Sequence, residues 1–252
     1  LQTLNISVLT PTRVNDETAL QWTGEQDIYL PYTLMRCLGA AGYATRACIP
    51  EETRRDAYEA LGFAQITICP SPGEAVAQEA EDLSDGPFFS FHLWRGADCE
   101  GALALLMRAL KDAGRDKDTV ICLVTGNTDA CRGRLFLWAE EAPRLRSDLP
   151  CSALDLTPTL LNLFGAAFDS RFLSGRDIFA ENHVPGTASS TTPLVVLYGS
   201  AYADWVTDAG SYIAADSVFW PGSVSFEDND AMVRYVQTMR GIVCDRYIFA
   251  RR

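Results

Sequence analysis

The chain has 252 residues, 48% of them hydrophobic, and a formal net charge of −12. That length and apolar content suffice for one large buried core, so a single domain is expected. The acidic balance excludes binding to nucleic acid or to an anionic membrane through an excess of Lys and Arg.

Cysteine usage narrows the class further. The eight cysteines, Cys37, Cys48, Cys69, Cys99, Cys122, Cys131, Cys151 and Cys244, are widely spaced and form no C-x-x-C pair, so they do not read as a zinc cluster. Several lie in apolar runs, Cys122 most clearly, and free buried thiols are the expectation, with a disulfide framework as the alternative. No apolar run reaches the roughly 20 residues of a membrane span, and no signal peptide is visible. The first residue is Leu1, as expected of a processed or excised piece with any membrane anchor lying upstream.

In chain order, L-N-I-S-V-L-T-P-T alternates Ile6 and Val8 before a Thr-Pro break, a strand and then a loop. In Y-L-P-Y-T-L-M-R-C-L-G-A-A-G-Y, Pro31 opens a helix with Leu34, Met35, Leu38 and Ala41 on one face and Gly42 as its stop. Residues 43–49 read as a strand. The segment E-T-R-R-D-A-Y-E-A-L-G-F is a short helix with Thr53 as cap and Gly62 as stop, followed by the strand Q-I-T-I-C-P. Ser71 and Glu74 match a capping box at the head of a mostly polar helix that runs to about Leu83. P-F-F-S-F-H-L-W is an apolar strand. The next helix places Leu103, Leu106, Met107 and Leu110 on one side.

Residues 120–124 are apolar and β-branched, the pattern of a strand buried on both faces of a parallel sheet. Residues 134–139, R-L-F-L-W-A, read as another strand. A helix then starts with Thr157 as N-cap and Pro158 at the first position, buries Leu160, Leu161 and Phe164, and stops at Gly165. Asp155 and Thr157 read as cap residues and Gly175-Arg176-Asp177 as a turn. After Phe179, L-V-V-L-Y-G-S and S-Y-I-A-A-D-S-V-F-W read as antiparallel strands. A last amphipathic helix carries Met232, Val233, Val236 and Met239 on one side. Strands alternating with helices imply an α/β fold: a mainly parallel sheet flanked by helices, with a small C-terminal antiparallel sheet and a final helix. Residues 1–180 form the core in this reading, and residues 181–252 pack on it within the same domain.

The order of these pieces, with D-L-T-P-T-L-L-N-L-F-G and then S-G-R-D-I-F, resembles the C-terminal half of a sulfatase-type domain of the alkaline phosphatase superfamily. The resemblance is strongest to the extracellular domain of lipoteichoic acid synthases and related phosphoglycerol transferases. Y-L-P-Y-T-L-M-R-C-L-G-A-A-G-Y-A-T-R-A is similar to that group's L-P-x-L-L-x-x-x-G-Y-x-T segment, and R-R-D-A-Y-E-A-L-G-F to its N-R-D-x-x-Y-x-x-L-G-Y. The second match puts Arg55 on a substrate-binding arginine. P-F-F-S-F-H-L corresponds to the strand before a substrate-contacting N-H-x-P loop, which implies a substrate role for His92.

The departures fall on the chemistry. Where the family has K-T-S-D-A-E with a nucleophilic Thr, this chain has R-V-N-D-E-T, and Val14 occupies the nucleophile position. The family strand matching T-V-I-C-L-V-T ends in G-D-H, whose Asp and His bind a catalytic metal; here the residues are Gly126, Asn127 and Thr128. The family's F-H-G-N histidine falls within Ala47-Cys48-Ile49-Pro50, and its first strand, bearing an acidic ligand, has no counterpart. A dication needs several carboxylate or imidazole ligands to offset its dehydration. Asn127 offers only a neutral carbonyl oxygen and Thr128 a hydroxyl. Asp129 either substitutes as a ligand through a short slip or stabilises the turn. Arg55 is open between an anion site and an ion pair with Asp56 or a nearby Glu, and His92 between a substrate contact and a hydrogen-bonded core histidine.

The resemblance with these losses implies a sulfatase-like domain without catalysis, a binding or interaction module at a bacterial cell surface. Its partner would be a cell-envelope polymer or another sulfatase-like chain. No cofactor is then expected. The alternative is an active metal-dependent phosphoglycerol transferase, sulfatase or phosphatase, using Mn or Mg, with ligands relocated to Asp129, Asp16 or an upstream segment.

Overall fold

Residue 46 is an arginine, and it lies in the middle of a strand that is the best buried among the described residues. In the computed structural model, residues 28–29, 33–52, 55–83, 86–94, 99–127, 132–142, 153–170, 173, 177–179, 194–198, 202–207, 210–213, 218–219 and 250–251 are described. In chain order they form β1 (Ile28–Tyr29), α1 (Leu34–Ala40), β2 (Ala44–Ile49), α2 (Arg55–Leu61), β3 (Gln65–Ile68), α3 (Pro72–Asp82) and β4 (Phe88–His92). There follow α4 (Cys99–Asp112), β5 (Ile121–Asn127), β6 (Arg132–Trp138) and α5 (Ala153–Leu163). The last are β7 (Leu194–Tyr198), β8 (Tyr202–Thr207), β9 (Gly210–Ile213), β10 (Val218–Phe219) and β11 (Ala250–Arg251). The chain divides into two compact units, one of Leu1–Thr45, Arg54–Ala64 and Asp148–Arg252, the other of Arg46–Thr53 and Gln65–Ser147.

The second unit holds a three-stranded parallel sheet in the order β3-β2-β4, with β2 in the middle. Arg46 pairs with Gln65 and Ile49 with Ile68, and the amide of Leu93 donates to the Cys48 carbonyl at 3.1 Å on the β4 side. Every residue of β2 from Thr45 to Ile49 is buried. Helix α3 starts as the capping-box pattern anticipates: Ser71 Oγ accepts from the Glu74 amide at 3.2 Å, Pro72 follows, and Ser71 Oγ also donates to Glu74 Oε1 at 3.0 Å. Helices α3 and α4 pack on each other. The buried side of α4 centres on Ala102 and Leu110, whereas Met107, expected inside, is exposed.

The expectation for residues 120–124 is corrected. Residues 121–124 lie on a strand, β5, but β5 pairs with β6 in a separate antiparallel ladder, from Ile121 opposite Trp138 to Asn127 opposite Arg132. Val124 is 41% exposed, Phe136 50% and Trp138 36%, so neither strand is buried on both faces. An apolar β-branched run specifies extended backbone and a preference for burial. It does not specify which ladder the strand joins, because that depends on chain far away in sequence.

In the first unit, α1 begins one residue after Thr33, whose side chain accepts from the Arg36 amide at 3.3 Å. Thr33 therefore caps the helix, and not Pro31: a side-chain oxygen satisfies an orphan amide that proline can only avoid having. Leu34, Met35 and Leu38 are fully buried, while Ala41, beyond the last turn, is exposed. Gly42 and Gly62 adopt φ of +91° and +99° just past α1 and α2, as stop residues should. The end of α2 is held from outside: Thr33 Oγ1 donates to the Leu61 carbonyl at 2.6 Å and Arg36 Nη2 to the Ala60 carbonyl at 3.2 Å.

Helix α5 packs against α1, with Tyr43 and Phe164 in ring contact at 6.0 Å. It starts at Ala153, so Thr157 and Pro158 lie inside it and do not head it. Pro158 falls within the early turns of the helix, and the buried Leu160 and Leu161 fix which face turns inward. Gly165 ends the helix at φ +63°. Gly175 and Arg176 of the expected turn lie outside the described residues; Asp177 accepts from the Phe179 amide at 2.9 Å and from Asn162 Nδ2 at 2.9 Å. The antiparallel expectation for the C-terminal region holds as a sheet of four strands in the order β10-β9-β8-β7, in which β8 lies between the two expected runs. The N-terminal strand around Ile6 and the final helix around Met232 to Met239 lie outside the described residues.

Candidate functional site

In an open α/β sheet, ligands meet the carboxyl ends of the parallel strands. Those ends in the second unit bring together Cys48 and Ile49 of β2, Cys69 just past β3, and His92 and Trp94 at and beyond the end of β4. Beneath them lies a polar cluster. Glu79 of α3 and Arg46 of β2 are both almost fully buried. Arg46 Nη2 donates to Glu79 Oε1 at 2.9 Å, its Nε to Ser90 Oγ at 3.2 Å, and its Nη1 to the Asp82 carbonyl. Ser90 Oγ in turn donates to Glu79 Oε1 at 3.0 Å, and His92 Nε2 lies 3.3 Å from Glu79 Oε2. The guanidinium also rests on the Phe88 ring, 5.1 Å from its centroid.

The chemistry of this cluster follows from its occupancy. Burial pushes the Glu79 carboxyl up, but hydrogen bonds from His92 and Ser90 and the charges of Arg46 and His92 hold it below its ordinary value. It is a carboxylate at neutral pH, not a proton donor. Ser90 already gives its hydrogen to Glu79 and receives one from Arg46, so it is not a poised nucleophile. The cluster fastens α3 to β2 and β4. Sequence reading missed it, although a signal was present: Glu79 falls at helical spacing from the buried Ala75 and Val76, on the inward face of a helix judged polar.

His92 is thus a hydrogen-bonded, mostly buried histidine, with its Nδ1 buried and without a partner among the described residues, beside Trp94, whose ring centroid is 6.1 Å away. Arg55 is the first residue of α2 in the other unit, half-buried and engaged in an interaction of its own. Asn127 ends β5, opposite Arg132. Val14, Thr128 and Asp129 lie outside the described residues. Among the described residues no group of three His, Cys, Asp or Glu side chains is placed to hold a metal ion. Nor is any helix among them long and apolar enough to cross a membrane.

No family profile and no curated protein matches the sequence. A solved structure does: the lipoteichoic acid synthase LtaP of Listeria monocytogenes, with a TM-score of 0.68 over 98% of this chain and 80% of that one, at 16% identity. The fold is alkaline phosphatase/sulfatase-like. At that identity the likeness speaks for architecture, since one fold hosts many activities and the site decides among them.

Proposed function

We propose that this chain is a sulfatase-like, phosphoglycerol-transferase-type domain that has lost catalysis and serves as a binding or interaction module at a bacterial cell surface. The observation that carries the reading is the pairing of a lipoteichoic acid synthase-like fold over 98% of the chain with Asn127 at the end of β5, the position at which the sequence resemblance implies an aspartate ligand. The donor set does not fit a dication. Asn127 brings a neutral amide, Thr128 a hydroxyl, and His92 is committed through Nε2 to Glu79. Val14 at the nucleophile position has no atom that can attack phosphorus or sulfur. In this reading Arg55 keeps its affinity for anions, and the partner is a cell-envelope polymer or another sulfatase-like chain.

The test is elemental analysis of the protein after exposure to Mn, Mg, Zn and Ca, together with a screen for hydrolysis of phosphate and sulfate esters. Substoichiometric metal and no turnover are expected. Stoichiometric metal with turnover would replace the proposal by an active enzyme whose ligands include Asp129.

A further inference from the structure

Two of the cysteines share one pocket of the core. Cys48 stands opposite Thr67 in the parallel ladder, and Cys69, two residues further on, points to the same face. The backbones meet at this point, the Cys69 amide donating to the Ile49 carbonyl at 2.8 Å. Both side chains are buried in one cluster with Ala75, and Trp94 packs over it. The two thiols are close enough for each to perturb the other. Both cysteines are free in this structure.

We propose that Cys48 and Cys69 are a disulfide site: a thiol–disulfide oxidant joins them and clips the carboxyl end of β2 to that of β3. On the diagonal of the ladder their Cα atoms are about 7–8 Å apart, so closing the bond draws Cys69, one residue beyond β3, toward Cys48 to the spacing of about 6 Å that a disulfide requires. With oxidised glutathione as oxidant, the thiolate of one cysteine attacks the glutathione disulfide and expels one glutathione thiolate. The second cysteine's thiolate then attacks the mixed disulfide and expels the other. Two protein thiols are oxidised, one glutathione disulfide is reduced, and the two protons end on the two glutathione thiols. Burial raises both thiols above their ordinary value, so the folded pair exchanges slowly and the bond forms while the chain folds. The bond closes the segment from residue 48 to residue 69, which removes freedom from the unfolded chain and stabilises the folded one.

The experiment refolds the full chain from urea in a mixture of oxidised and reduced glutathione, blocks remaining thiols, and maps unreduced peptides by mass spectrometry. The peptides carrying Cys48 and Cys69 are expected as one linked species. The thermal midpoint is expected to fall on adding dithiothreitol to the wild type, and to stay put in Cys48→Ala. Recovery of both cysteines as blocked thiols overturns the proposal, as does a link from either to another cysteine, or a wild-type midpoint that ignores the reductant.

Discussion

A carboxylate buried as deeply as Glu79 persists because both of its oxygens are occupied, Oε1 by Arg46 and Ser90 and Oε2 by His92. Removing one partner strands the other, so Glu79→Gln should destabilise the protein by about 3 kcal/mol at neutral pH, read from urea unfolding. The pH dependence has a definite sign. The folded-state pKa of Glu79 is depressed, so its stabilisation is complete above the ordinary value of 4.5 and is lost as pH falls through the lower folded-state value. The gap between wild type and Glu79→Gln should therefore be constant from neutral pH down to about pH 5 and narrow below it. Two glycines give a second contrast. An added Cβ at Gly62 would meet Arg36 Cγ at 2.5 Å on a backbone of φ +99°, whereas at Gly39 it would meet nothing within 4 Å. Gly62→Ala should cost about 2 kcal/mol and Gly39→Ala should stabilise α1 by roughly 0.5 kcal/mol. Equal effects at the two sites would sink this account of the turn.

The elements are held at their ends by single side chains. Thr159 of α5 donates to the Asp155 carbonyl at 2.6 Å and accepts from the Ile178 amide at 3.1 Å, so one hydroxyl joins the helix to the turn made by Asp177. Thr159→Val keeps the shape and leaves the Ile178 amide without this acceptor. A loss of about 1–3 kcal/mol is expected, with faster amide hydrogen exchange at Ile178 than elsewhere along the turn. An unchanged exchange rate there would mean that the hydroxyl does not hold the turn. By contrast β5 and β6, joined only to each other among the described residues, expose Phe136 and Trp138. Phe136→Ser should therefore change stability by no more than about 0.5–1 kcal/mol, far less than the loss of a core aromatic such as Tyr58, about 3–5 kcal/mol.

For the whole molecule, the proposed loss of catalysis predicts that repair by parts fails. On that proposal, the triple variant Val14→Thr, Asn127→Asp, Thr128→His would return a nucleophile and two ligands. It returns no histidine within Ala47-Cys48-Ile49-Pro50. Groups that act as one catalytic unit are strongly non-additive, so no manganese-dependent ester hydrolysis above the unmodified protein is expected. A clear metal-dependent rate in the triple variant would revive the active-enzyme alternative.

What the amino-acid sequence determined by itself was local. The Ser71–Glu74 cap, the stops at Gly42, Gly62 and Gly165 and the antiparallel character of the C-terminal strands could all be read from it, because each is set by groups a few residues apart. The alternation of strands and helices also carried the α/β class. Tertiary structure alone decided which strand lies at the centre. Hydropathy favoured residues 120–124, yet the central strand of the parallel sheet is β2, whose Thr45 and Arg46 make it look half polar. Arg46 can be buried there because Glu79, 33 residues later, arrives on an adjoining helix to neutralise and bond it. A side chain's tolerance of the interior depends on its partner, and that partner is chosen by the fold rather than by neighbours in sequence.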